Sequence, residues 1–276
     1  MKGLKGKVAI VTGATKEMGE VVAERLAAEG MRVLGCGRDA ARGEACAQRI
    51  RESGGRAKFQ RVDVGHEAEV AGVVQAAVAE YGRLDIVVNL AAAVDSIRSG
   101  NEKRVTEEST EAFQRQLTIN ALAPFWFFKY AIPEMIRAGG GSFVNVSSLA
   151  GAKSVPGMPA YSASKAALEG LSRQVATDYA ANNIRSNCIG VGAIRTSQNT
   201  HLHDHPVVGP AMRTGQIITR PGNSNDIASM VAFLASEESA FSTGEVFYVD
   251  GGSRLKTVVP DISAAYKQMS DTDTAS

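Results

Sequence analysis

At 276 residues, 44% hydrophobic and 21% charged, the chain is long enough for one large domain with its own core, and it needs no disulfide or metal to hold it. Its 30 basic and 29 acidic residues leave a net charge of +1, which removes the electrostatic case for nucleic acid or an anionic membrane as partner. Three scattered cysteines, Cys36, Cys46 and Cys188, argue against a disulfide framework or a zinc site and suit buried thiols in reducing surroundings.

The first strand is expected at residues 8–11, with no signal-peptide anatomy before it, and no apolar run is long enough to span a bilayer. The expected location is the cytoplasm. A helix over 19–30 follows, then strand 32–36, helix 40–53, strand 57–62 and helix 67–81. Residues 84–89 include Asp-Ile-Val-Val, the unbroken apolar pattern of a strand covered on both faces. A long helix over 111–138 carries the aromatic run Phe125, Trp126, Phe127 and Phe128. Strand 142–146, helix 160–181, strand 184–189, helix 226–236 and strand 245–249 complete the series. Short β-branched runs alternating with Ala-rich helical stretches predict an α/β fold: one doubly wound domain with a central parallel sheet flanked by helices. It covers residues 1–253, and 254–276 form a polar C-terminal extension whose tip is expected to be disordered.

Two features carry chemistry. Thr12-Gly13-Ala14-Thr15-Lys16-Glu17-Met18-Gly19 lies between the first strand and first helix, where glycines permit a tight turn and backbone amides can meet a pyrophosphate. Tyr161 and Lys165, in Tyr-Ser-Ala-Ser-Lys, lie four apart on a helix, one turn from each other on one face. A neighbouring cation favours the phenolate and brings a phenol toward proton transfer at neutral pH. Alone, the pair is a weak signal, and an amphipathic helix with Tyr toward the core and Lys in water is the better explanation of it.

With these motifs in order, the chain resembles a classical short-chain dehydrogenase/reductase from about residue 5 to Gly252. Further matches are Asn89-Leu90-Ala91-Ala92 after the fourth strand, Ile119-Asn120-Ala121, Ser148 thirteen residues before Tyr161, and Thr243-Gly-Glu-Val-Phe-Tyr-Val-Asp-Gly-Gly252. The resemblance implies a Rossmann-type fold and interconversion of a carbonyl and an alcohol by hydride transfer. Tyr161 would be the general acid/base, Lys165 would favour its phenolate and hold the nicotinamide ribose, and Ser148 would donate to the substrate oxygen. Asn120 would anchor a water leading from Lys165 to solvent. Ser147 is the neighbouring rival to Ser148.

The same resemblance places Gly13, Thr15, Lys16, Met18 and Gly19 around the phosphates, Asp63 and Val64 at the adenine, and Asn89 and Ala91 beyond the fourth strand. Gly192, Ile194 and Thr196 fall at the nicotinamide end. Glu17 departs from the pattern by replacing the middle glycine of the turn. Ala92 replaces a loop glycine, and Val191 the proline usual before Gly192. Glu17 keeps a second reading open, a non-catalytic or weakly binding nucleotide sensor on the same fold.

After the second strand, Gly37 stands where an NAD-selective site carries an acid, and Arg38 follows. Arg38 and Lys16 offer cations to a 2′-phosphate, so NADP(H) is expected, with NAD(H) also accommodated. Residues 93–106, 149–159 and 193–222 should frame a small carbonyl or alcohol substrate, the last as a lid. His201, His203 and His205 alternate in that lid without partner ligands, and no metal is expected. By resemblance the two long helices meet a second subunit, giving a homo-oligomer, a tetramer ahead of a dimer.

Overall fold

The computed structural model describes residues 1–94 and 103–256. Part of the expected substrate frame, 95–102, and most of the C-terminal extension, 257–276, lie outside the described residues. Seven strands, β1 (Val8–Thr12), β2 (Arg32–Gly37), β3 (Arg56–Arg61), β4 (Ile86–Asn89), β5 (Gly141–Val146), β6 (Ile184–Val191) and β7 (Val246–Val249), form one parallel sheet. Their order is β3-β2-β1-β4-β5-β6-β7. The chain therefore moves outward from β1 to β3, then crosses back to β4. That reversal opens a crevice at the strand ends between β1 and β4, the switch point where such sheets take ligands.

The apolar strands work because alternate side chains face opposite layers. From β1, Ala9 and Val11 join a core with Val22 and Leu26 of α1 (Glu17–Ala28). The same core includes Ile227 and Val231 of α9 (Ser224–Ala235). Val8 and Ile10 face the opposite core with Val70 and Val73 of α3 (Glu67–Tyr81). Helix α2 (Ala40–Glu52) packs beside β3 on the outer flank.

The expected helix over 111–138 is present but divided. Helix α4 (Thr110–Leu117) passes through a π-helical turn, Thr118–Leu122, into α5 (Ala123–Arg137). Helix α6 (Pro159–Tyr179) begins with proline at its first position, where no N–H is required. Helix α9 begins at Ser224, two residues before expectation, because Asn223 and Asp226 form a reciprocal capping box. Strand β6 runs two residues beyond the expected end, to Val191, where a proline would have withheld its N–H from the ladder. The lid contains two short helices, α7 (Thr200–Asp204) and α8 (Val208–Thr214). Among the described residues, no helix is long and apolar enough to cross a membrane, and no cluster of potential metal ligands occurs.

Candidate active site

The turn after β1 is folded back on itself. Ala14 N–H donates to Cys36 O and Lys16 N–H to Gly13 O. Gly13 adopts φ +73°, and a Cβ on Gly19 would lie 2.2 Å from Gly13 O, so this close approach of helix to turn requires glycine. Thr12 ties the turn to the neighbouring loop: its Oγ1 accepts the N–H groups of Leu90 and Ala91, both at 2.9 Å.

A cavity of about 250 Å³ opens at the switch point. Gly13, Thr15, Lys16 and Met18 line one wall, and Arg38, Asp63, Val64 and Ala91 line the adjoining stretch. Ser148, Tyr161, Lys165, Gly192 and Thr196 meet in the same cavity. Sequence reasoning did not select Arg115 or Ile119, which also line it. They lie one helical turn apart on α4 and the π turn, immediately before Asn120, and that spacing was the available signal.

Lys165 is buried, and its Nζ donates to Val146 O at 2.8 Å, 5.6 Å from the centre of the Tyr161 ring. Burial pulls its ammonium down to about 8, with Cys188 and Glu169 acting in the opposite direction. The two adjacent serines differ. Ser147 Oγ is buried and donates to Glu169 Oε1 at 2.7 Å, whereas Ser148 Oγ is half-buried and accepts the Ala150 N–H. Glu169 lies two helical turns beyond Tyr161 and was not singled out from the sequence.

Four expected site residues do not line the cavity. Gly19 acts through packing against Gly13. Asn89 is buried in the sheet, where its Nδ2 donates to Asn145 Oδ1 at 2.9 Å. Ile194, at the start of the lid, is buried and bridged to Gly222 at the lid's end. Asn120 is buried in the π turn: Oδ1 accepts the Ala93 N–H, and Nδ2 donates to Gln116 Oε1 and Ser164 Oγ. Both amide hydrogens are thus committed to protein, and Asn120 braces the loop after β4 against the helix carrying Tyr161.

The donor set and the glycine-lined turn fit a dinucleotide: backbone amides and Lys16 at one wall, Arg38 at the β2 end, and hydroxyls with a buried cation at the other. A sequence-family model described as enoyl-(acyl carrier protein) reductase matches residues 13–254. The chain belongs to the short-chain dehydrogenase/reductase family. An uncharacterized oxidoreductase of Thermotoga maritima is 36% identical over 256 residues, covering 90% of this chain and 98% of that protein. Dehydrogenase/reductase SDR family member 4 of Homo sapiens is 35% identical, with 91% of this chain and 88% of that one covered. A short-chain dehydrogenase/reductase structure from Mycobacterium ulcerans superposes with TM-score 0.87 at 31% identity, covering 96% of this chain and 95% of that one. Membership makes the chain an oxidoreductase of a family that binds NAD(P), and it accounts for the cavity at the switch point.

Proposed function

We propose that the protein is an NADP(H)-dependent oxidoreductase interconverting a small carbonyl compound and its alcohol. The observation that carries this reading is the convergence of Ser148, Tyr161 and Lys165 on one cavity with the glycine-rich turn and Arg38. Bound nicotinamide supplies the hydride chemistry. In reduction, Tyr161 Oη gives its proton to the carbonyl oxygen, and in oxidation it takes the proton from the alcohol. Ser148 Oγ donates a hydrogen bond to that oxygen as negative charge develops on it. Lys165, held by Val146 O, favours the phenolate of Tyr161 and holds the nicotinamide ribose.

Arg38 and Lys16 hold the 2′-phosphate. Asp39, the nearest carboxylate after β2, supports this assignment because it caps α2 by accepting the Arg42 N–H. Gly37 and Arg38 line the cavity and Asp39 does not. Gly13, Thr15 and Met18 take the pyrophosphate, Asp63 and Val64 the adenine, and Gly192 and Thr196 the nicotinamide end. The non-catalytic reading is not favoured, because Ser148, Tyr161 and Lys165 line one cavity, and Glu17, its main argument, bears on cofactor affinity and not on the reaction.

The deciding experiment follows NADPH and NADH consumption over a panel of ketones, aldehydes, a β-ketoacyl thioester and an enoyl thioester, with Tyr161→Phe as control. Turnover of a carbonyl with NADPH, reduced at least 10³-fold in Tyr161→Phe while cofactor binding persists, is expected. Near wild-type rates in that variant overturn the mechanism. Preference for NADH overturns the Arg38 and Lys16 argument, and turnover of the enoyl substrate alone replaces carbonyl reduction with double-bond reduction.

A further inference from the structure

Glu17 opens α1 directly after the phosphate turn, where the family pattern set out above has the middle glycine. One of its carboxylate oxygens accepts the Ser197 backbone N–H at 2.6 Å, and the other accepts the Ser224 hydroxyl at 3.4 Å. Ser197 directly follows Thr196, at the start of the lid. Ser224 opens α9, just beyond the lid's end. The two ends also meet each other: Arg195 N–H donates to Gly222 O at 2.8 Å, and Gly222 N–H to Ala193 O at 3.3 Å. A single carboxylate beside the phosphate turn therefore holds the start of the lid through a short bond to Ser197 and reaches the chain just past its end through a long contact to Ser224. Glu17, Thr196 and Gln198 line the same cavity as Gly13 and Lys16.

We propose that Glu17 is a lid-positioning residue that ties the start of the substrate lid to the phosphate turn at the expense of cofactor affinity. The proposal rests on the reading of that turn as the pyrophosphate site. A carboxylate accepting a backbone N–H makes a charge-assisted bond, stronger than a neutral one. The same negative charge beside a pyrophosphate is repulsive, and salt screens that repulsion. Lid order and nucleotide affinity thus oppose each other through one side chain. Glycine at this position gives up the tie and removes the charge. Glutamine removes the charge but keeps an oxygen that can accept the Ser197 N–H.

The two variants separate these effects in the full-length protein. NADPH affinity is measured by fluorescence titration at low and high salt. Lid opening is measured by limited trypsin cleavage at the exposed Arg213 in α8, read by mass spectrometry without nucleotide. Glu17→Gln and Glu17→Gly are both expected to bind NADPH at least five-fold more tightly at low salt, with a smaller gain at high salt. Cleavage at Arg213 is expected to rise at least five-fold in Glu17→Gly and to stay near wild type in Glu17→Gln, the conservative rescue. Equal cleavage in all three proteins, or no gain in NADPH affinity in either variant while wild type binds, overturns the lid proposal and leaves the cofactor reading standing. Failure of all three proteins to bind NADPH or NADH overturns the cofactor reading and this proposal together.

Discussion

Lys165 holds its charge inside the protein, where desolvation outweighs the help it receives from Glu169 and Cys188. Its native value of about 8 lies below the ordinary lysine value of 10.5. Below about pH 8 the ammonium is charged in both native and unfolded chains, and the native state carries the full cost of burying it. Between about 8 and 10.5 the native chain releases the proton while the unfolded chain keeps it. The unfolded state then binds more protons, so this group makes stability rise with pH across that window. Chemical denaturation of wild type and Lys165→Met at pH 8 and pH 9.5 tests this. Wild type should gain roughly 2 kcal/mol relative to the variant, and parallel behaviour of the two would contradict the buried-cation assignment. The Tyr161–Lys165 spacing was legible in the sequence, because a helix converts a four-residue interval into adjacency. The family pattern, with its serine thirteen residues before the tyrosine, selected Ser148 over its neighbour Ser147. Both serines line the cavity, and the difference between them that only the fold reveals is Glu169, a carboxylate twenty-two residues away brought to 2.7 Å of Ser147 Oγ.

The sequence pattern placed the helices and strands in order, and its errors cluster where local hydrogen bonds, rather than periodicity, set the geometry. The capping box at Asn223 moved the start of α9, and the π turn broke the long helix at Thr118–Leu122. Such one-turn π segments often occur at functional sites, and this one brings Asn120 within reach of two other elements. Asn120→Ala would leave the Ala93 N–H without its acceptor and remove the link to Ser164 on α6. The expected loss is about 2–4 kcal/mol of unfolding free energy, measured by urea denaturation. NADPH affinity should weaken as well, since the Ala93 loop lines the cavity. A loss under about 1 kcal/mol would mean that the π turn is held by its packing and not by this amide.

At the level of the whole molecule, alternating strands and helices foretold a doubly wound parallel sheet, and the strand order with its reversal between β1 and β4 fulfils that expectation. Patterning could not say which aromatic residues enter the core, because helix rotation decides it. In the run from 125 to 128, Trp126, Phe127 and Phe128 are buried, whereas Phe125 remains 42% exposed. Leu122, one turn earlier on the same face, is 41% exposed. This apolar stripe on the long helix is where the family resemblance expects a second subunit, and like faces on two copies can bury each other around a two-fold axis. Light scattering on the eluted protein should therefore give a mass above the 29.0 kDa monomer, with about four times that value for the expected tetramer. Phe125→Glu places a charge in the centre of the stripe, where an uncompensated buried carboxylate is strongly disfavoured. It should shift the mass toward smaller species at micromolar concentration, while the far-UV circular dichroism stays native because the side chain lies outside the core. A wild-type protein that runs as a monomer, or a Phe125→Glu variant with unchanged mass, would remove α5 from the interface.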